Sequence, residues 1–185
     1  METQIEIHTN RLLLKSITPQ IINHLLNTKS ATEVKAYFNI NEEAYIQLKH
    51  MAEKGMETYR ISVFYFLLVE KESNHVLGEC GFHTWNNTHR RAELFYSLKN
   101  DIDKRKGYMG EALQHVLNHG FNALHLHRVE ALIAEENIAS KKLVEKYKFT
   151  REGIMREDYC INGKNEDSVC FSLLKPEWEA QLKTL

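Results

Sequence analysis

Lys104-Arg105-Lys106-Gly107-Tyr108-Met109-Gly110-Glu111-Ala112 sets three consecutive cations and two glycines directly ahead of an amphipathic helix. The helix is legible from Met109, Ala112, Leu113, Val116, Leu117, Phe121 and Leu124, whose i, i+3, i+4, i+7 spacing makes one apolar stripe. A helix start carries unpaired backbone N–H groups and the positive end of the macrodipole, and therefore attracts phosphate. Glycine lets backbone turn tightly and approach an anion, and the lysines and arginine add longer-range attraction. The stretch predicts a diphosphate-bearing ligand at the start of this helix. It is neither Gly-x-x-x-x-Gly-Lys-Ser/Thr nor Gly-x-Gly-x-x-Gly after a strand, which argues against a P-loop or a dinucleotide fold.

Outward from this loop the chain alternates strands and helices. Residues 11–17 read as a strand, and Thr18-Pro19 opens a helical region with breaks near 29–31 and 39–41 that runs to about Met56. Ile61 to Glu70 is rich in β-branched and aromatic residues, a strong strand signal. Further strands are expected at 76–84 and 89–99, then the cationic loop and its helix. A strand at 128–134, a helix at 138–147, and strands near 149–161 and 166–174 follow. Asn162-Gly163 joins the last two as a hairpin. The order predicts an α/β fold.

Several of these strings resemble the GNAT superfamily of acetyl-CoA-dependent N-acetyltransferases. Lys104 to Met109 is similar to its pyrophosphate loop, with Lys104 in place of the usual first residue and Met109 in place of a small third one. Gly107-Tyr108-Met109-Gly110-Glu111-Ala112-Leu113 looks like the RimJ/RimL-like branch that acetylates ribosomal protein N-termini. Arg11-Leu12-Leu13-Leu14, Ala92-Glu93-Leu94-Phe95-Tyr96, His127-Arg128-Val129-Glu130-Ala131 and Asn137 to Ser140 match in order. The resemblance covers about residues 10 to 175. It implies a mixed, mostly antiparallel sheet of about seven strands flanked by helices, with a V-shaped splay between strands four and five. It also implies acetyl-CoA as co-substrate and self-association as a homodimer.

Acetyl transfer requires an amine to lose a proton and a thiolate to leave. Glu93, fourteen residues before Gly107, is the expected base: Ala92 and Leu94 face the other side of the strand, so Glu93 can project into a cleft. Glu157 is a reserve carboxylate on the same strand face as Tyr159. Ser140 is expected to assist thiolate departure, because the tyrosine that many superfamily members carry four positions later is Val144 here. The resemblance assigns Leu98 backbone and Asn137 to the pantetheine arm, with Asn137 also suited to cap the helix at 138. Lys104, Arg105, Lys106, Gly107, Tyr108, Met109 and Gly110 form the expected phosphate cradle; Lys142 and Lys146, on the polar side of the helix after Asn137, either reach the CoA phosphates or form a solvated charged face. Trp85-Asn86-Asn87 reads as a loop able to hold an acceptor or to pack an ordinary tryptophan.

Composition narrows the rest. At 185 residues and 43% hydrophobic content the chain suits one domain, 1–185, with a sizeable core. A net charge of −1 argues against a dedicated nucleic-acid binder. No apolar run is long enough to span a bilayer, and Met1-Glu2-Thr3-Gln4 is unlike a targeting segment, so no membrane partner and a cytoplasmic location are expected. Cys80, Cys160 and Cys170 are odd in number and widely spaced, and read as reduced core thiols. His115 and His119 are four apart on a helix, but no third ligand is placed by sequence; polar-face histidines and no metal are expected. The acceptor is an amine. The branch points to a protein N-terminal α-amine, with a polyamine, antibiotic or amino acid acceptor, or a non-catalytic acetyl-CoA-binding module, as alternatives.

Overall fold

The computed structural model describes residues 4–54 and 62–183. The described residues form an eight-stranded sheet in the order β1-β2-β3-β4-β5-β6-β8-β7. The strands are β1 (Glu6–His8), β2 (Leu12–Ile17), β3 (Ser62–Glu70), β4 (Val76–Asn86), β5 (Arg91–Leu98), β6 (Arg128–Ala134), β7 (Thr150–Ile161) and β8 (Lys164–Leu174). Six helices accompany them: α1 (Pro19–Thr28), α2 (Ala31–Phe38), α3 (Glu42–Lys54), α4 (Tyr108–Asn122), α5 (Ile138–Lys146) and α6 (Lys175–Leu182). All strand pairs are antiparallel except β5 with β6. The expected seven strands become eight because three residues, Glu6–His8, pair with Leu13–Lys15. The expected strand start at Ile61 and helix end near Met56 lie outside the described residues.

Local chemistry explains the breaks. Thr18 accepts from Ile21 N–H and Pro19 occupies the first turn, so α1 starts where the sequence turns polar. Ser30 and Glu33 close a capping box on α2, which Asn39 ends in the left-handed region at φ 50°. Strand alternation then sorts β3 between two cores. Phe64, Phe66 and Leu68 join the larger one, shared with α4, α5 and α6, while Tyr65 and Leu67 join Ile17, Ile22, Val34 and Phe38 under α1 and α2. Gly120 lets α4 lie against β4, since a Cβ there would meet the Phe82 ring at 2.6 Å.

The feature that builds a site is the parting of two strands. β5 and β6 are paired over Arg91–Glu93 against Arg128–Glu130 and no further, although β5 remains paired to β4 as far as Leu98. From Leu94 onward, the β5 edge that faces β6 has no ladder partner. This is the splay expected between the fourth and fifth strands, here β5 and β6 because of the added first strand. Among the described residues no helix is long and apolar enough to cross a membrane.

Candidate active site

Two adjoining cavities flank the splay. The first, about 230 Å³, runs through the gap between β5 and β6 and is lined by Glu93, Tyr96, Ile133, Ser140, His83 and Tyr159 among others. The second, about 570 Å³, extends along β5 from Tyr96 to Leu98 and onto the start of α4. Tyr96, Asn137 and Ser140 line both. Strand alternation sends Ala92 and Leu94 into the core, 1% and 5% exposed, and turns Glu93 to the opposite face. Ser140 and Tyr96 belong to the α5 side. The gap therefore joins a carboxylate on one face of the sheet to a pair of hydroxyls on the other.

Glu93 has two polar partners. Tyr159 donates to Glu93 Oε1 at 3.2 Å, and His83 Nε2 lies 3.6 Å from the same oxygen. Its side chain is 14% exposed, so the carboxylate is largely enclosed yet reachable. Burial pushes the Tyr159 hydroxyl up to about 12, with the Glu93 and Asp158 charges adding to the shift, so it stays a donor. One Asp158 oxygen is buried without a hydrogen-bond partner among the described residues. His83 rests against the Phe95 ring at 5.4 Å and its Nδ1 is 2.8 Å from Thr84 Oγ1. Thr84, at φ 50°, marks the irregularity in β4 beside this cluster. By sequence alone His83 has no assigned role. The available signal was hairpin register, since His83 pairs directly with Glu93 across β4 and β5.

Ser140 sits in the first turn of α5, where Asn137 Oδ1 accepts from its backbone N–H at 3.1 Å. The expected cap at Asn137 is therefore present, and both residues face the cavities. Val144 is fully buried, and the Tyr147 hydroxyl donates to the Gly110 carbonyl. Neither supplies an available hydroxyl to the gap. The Tyr96 hydroxyl is buried and makes no hydrogen bond of ordinary geometry; burial raises its pKa, partly opposed by neighbouring Ser140.

At the loop, Gly107 caps α4 with φ 83°, a conformation that L side chains rarely adopt. Arg11 holds the turn in place. Its Nη1 donates to the Lys106 carbonyl at 2.9 Å, its Nε meets Glu111 Oε2 at 2.7 Å, and its guanidinium lies 4.5 Å from the Tyr108 ring centroid. Burial pushes the Glu111 carboxyl up, but bonds from Thr9 and Arg11 outweigh it and leave the pKa lowered. Two of the three cations are tethered locally, Lys104 to Asp101 at 2.6 Å and Lys106 to Asp103 at 3.7 Å. Lys104, Arg105, Gly107, Tyr108, Met109, Gly110 and Leu98 line the larger cavity; Lys106 and Lys142 lie outside its lining.

Four expectations are revised. Glu157 does not share a face with Tyr159: β7 loses register between Met155 and Tyr159, and Glu157, at φ 55°, is exposed with its N–H on Asp167 Oδ1. His119 is not on a polar face but stacks on Phe64 with ring centroids 5.1 Å apart, and burial lowers its pKa. Trp85 and Asn86 belong to β4 rather than to a loop, and Trp85 packs against the larger core, as the second of its two expected roles allows. Cys80 is buried and Cys170 half-buried, but Cys160 is exposed on β7. Among the described residues no cluster of His, Cys, Asp or Glu could hold a metal ion.

Residues 11–150 match the family described as acetyltransferase (GNAT) domain. The chain is 32% identical over 183 residues to the uncharacterized N-acetyltransferase p20 of Bacillus licheniformis, covering 96% of this chain and 99% of that protein. Its fold is shared with a mutant of the spermidine N-acetyltransferase SpeG from Vibrio cholerae, TM-score 0.70 at 19% identity, over 93% of this chain and 98% of the other. It is shared too with the ribosomal-protein-S5-alanine acetyltransferase of Vibrio fischeri, TM-score 0.64 at 20% identity, over 94% and 98% of the two chains.

Proposed function

The chain belongs to the GNAT acetyltransferase family, and from that premise we propose that Glu93 and Ser140, on opposite faces of the β5–β6 gap, serve the two ends of an acetyl transfer from acetyl-CoA to a protein N-terminal amine. The observation that carries this reading is the joined pair of cavities, one cradled by α4 and one enclosing Glu93, with Ser140 between them. Acetyl-CoA suits the larger cavity. The N–H groups at the start of α4 and the Gly107 turn form an anion cradle, Arg105 adds charge, and the unladdered edge of β5 presents backbone groups for pantetheine amides. When bound it supplies an activated acetyl thioester.

The residues then divide the work. Glu93 accepts the amine proton, directly or through one water, while the Tyr159 hydroxyl and His83 hold its carboxylate toward the cavity. Ser140 Oγ donates a hydrogen bond to the departing sulfur; a serine hydroxyl is too weak an acid to do more unaided. Asn137 fixes the turn that aims it.

The charge around the acceptor cavity favours a single amine over a polyamine. Glu130 and Glu152 are bound by Arg128, with Arg91 also on Glu130, and Glu166 is bound by Lys164. Glu93 is the one carboxylate among the described residues that line this cavity, enough to receive one ammonium, where a polyamine needs carboxylates spaced along its length. The test is acetyl-CoA turnover against a panel of short peptides with free N-termini, their N-acetylated forms, spermidine and free amino acids. Peptides with free termini should show the highest kcat/KM and the blocked forms none. Higher kcat/KM with spermidine would transfer the assignment to polyamines, and binding of acetyl-CoA without turnover of any amine would leave a binding module.

A further inference from the structure

Four tyrosine hydroxyls approach the two cavities or their walls, and three of them are engaged. Tyr159 donates to Glu93, Tyr108 to Glu70 and Tyr147 to the Gly110 carbonyl. The fourth, Tyr96, is different: its hydroxyl is closed off from solvent and has no hydrogen-bond partner among the described residues. A buried hydroxyl left unpaired loses its hydration with nothing in return, and such a group calls for an explanation. Tyr96 is also one of three residues that line both cavities, with Asn137 and Ser140. It reaches the α5 side of the sheet by strand alternation, two residues beyond Leu94. There Ser140 is a polar neighbour, near enough to oppose the burial shift of its pKa though not at ordinary hydrogen-bond geometry.

We propose that Tyr96 is a positioning residue for the leaving thiolate: its hydroxyl donates to Ser140 Oγ in the loaded enzyme and turns the Ser140 hydrogen toward sulfur. The inference rests on the acetyl-CoA reading above. A hydroxyl that accepts one hydrogen bond becomes a stronger donor in the next, so the pair does what serine alone does poorly. As the amine nitrogen bonds to the acetyl carbon and the carbon–sulfur bond breaks, the electron pair stays on sulfur and meets the Ser140 O–H. The amine proton leaves by way of Glu93, and the thiolate takes its proton from solvent on release. Tyr96 itself remains protonated throughout, in keeping with a burial-raised pKa.

The experiment follows the thiol of CoA bound to wild type, Tyr96→Phe, Ser140→Ala and the double variant, by ultraviolet absorbance of the thiolate against pH. Steady-state kinetics run alongside. The bound thiol should titrate about one pH unit lower in wild type than in either single variant. Tyr96→Phe should lower kcat roughly tenfold with little change in KM for acetyl-CoA, and should cost nothing further on a Ser140→Ala background. Phenylalanine keeps the ring and removes only the unpaired hydroxyl, so a purely structural role leaves the thiol titration unmoved. Tyr96→Phe with wild-type kcat and thiol titration overturns the inference, as do losses that multiply independently in the double variant. Failure of wild-type protein to bind CoA overturns the acetyl-donor reading and this inference with it. Binding with unchanged thiol behaviour overturns the inference alone.

Discussion

In the proposed transfer the base must lie within hydrogen-bond reach of the substrate amine, or of one water beside it, and the neighbours of Glu93 favour that placement. Its side chain is 14% exposed and lines the cavity, while Tyr159 and His83 lie against one carboxylate oxygen. Glu93→Gln keeps the shape and the hydrogen bond from Tyr159 but cannot take a proton. Its kcat is expected to fall by about 10²–10⁴ with acetyl-CoA binding intact, and the acid limb of the pH–rate profile is expected to disappear. Kinetics across pH check this, and an unchanged profile would mean that the free amine attacks without a base. At this scale the sequence was readable where side-chain placement follows from alternation alone. Ala92 and Leu94 are apolar and Glu93 lies between them, so its facing was determined. His83 escaped because its contact with Glu93 depends on cross-strand register. Glu157 was misplaced because an irregularity in β7 breaks the period of two that placed it beside Tyr159.

At the scale of elements, the start of α4 is held by a clamp from a residue 95 positions before Lys106 in the chain. Arg11, beside β2, binds the Lys106 carbonyl and Glu111, so strand and loop are held as a unit. The cationic run is thereby less a set of free charges than its composition suggests, since Asp101 and Asp103 take Lys104 and Lys106. An anion held at this loop, as proposed, would then rely on backbone N–H groups and Arg105, which makes Gly107 the sensitive position. A side chain at φ 83° costs about 1–2 kcal/mol in backbone strain. Gly107→Ala carries that strain without charge and should weaken acetyl-CoA binding about tenfold. Gly107→Glu adds an anion at the cradle and should weaken it at least 100-fold. Calorimetric titration beside a thermal melt separates the two effects, and equal affinities for the variants would remove the diphosphate from this loop. The helix itself was plain from its apolar stripe, six of whose seven residues fall on α4, with Leu124 just past its end. β1 was not, because three residues make too short a run for alternation to register, and their pairing with β2 is a tertiary event. α6 carried a signal that was available: Pro176 in its first turn and Glu177 accepting from Leu174 N–H at 2.8 Å.

The whole molecule is a sheet with a core on each side, and a titratable group is set into one of them. His119 belongs by sequence to the i, i+4 pair on α4 that invites a metal reading. In the fold its ring lies against Phe64 and Phe66, at centroid distances of 5.1 and 5.3 Å, where the charged form is disfavoured. Spacing along one helix could not reveal this, because the packing partners are contributed by β3, more than fifty residues earlier in the chain. The consequence for stability has a definite sign. Burial depresses the folded-state pKa of His119 below its ordinary 6.5, so near neutral pH both folded and unfolded chains carry it uncharged. As pH falls through 6.5 the unfolded chain gains a proton that the folded chain does not. Stability is lost from there downward until the folded-state pKa is reached. The contribution is thus present above the unfolded pKa and absent at acid pH. His119→Leu keeps an apolar group against the two rings and removes the proton site. Thermal melts between about pH 7.5 and 5 should show wild type losing on the order of 2 °C more than the variant over this interval. The two should differ least at the neutral end apart from a constant packing offset. Parallel pH dependence in both proteins would place His119 outside the titrating core, and a steeper loss in the variant would reverse the sign of its contribution.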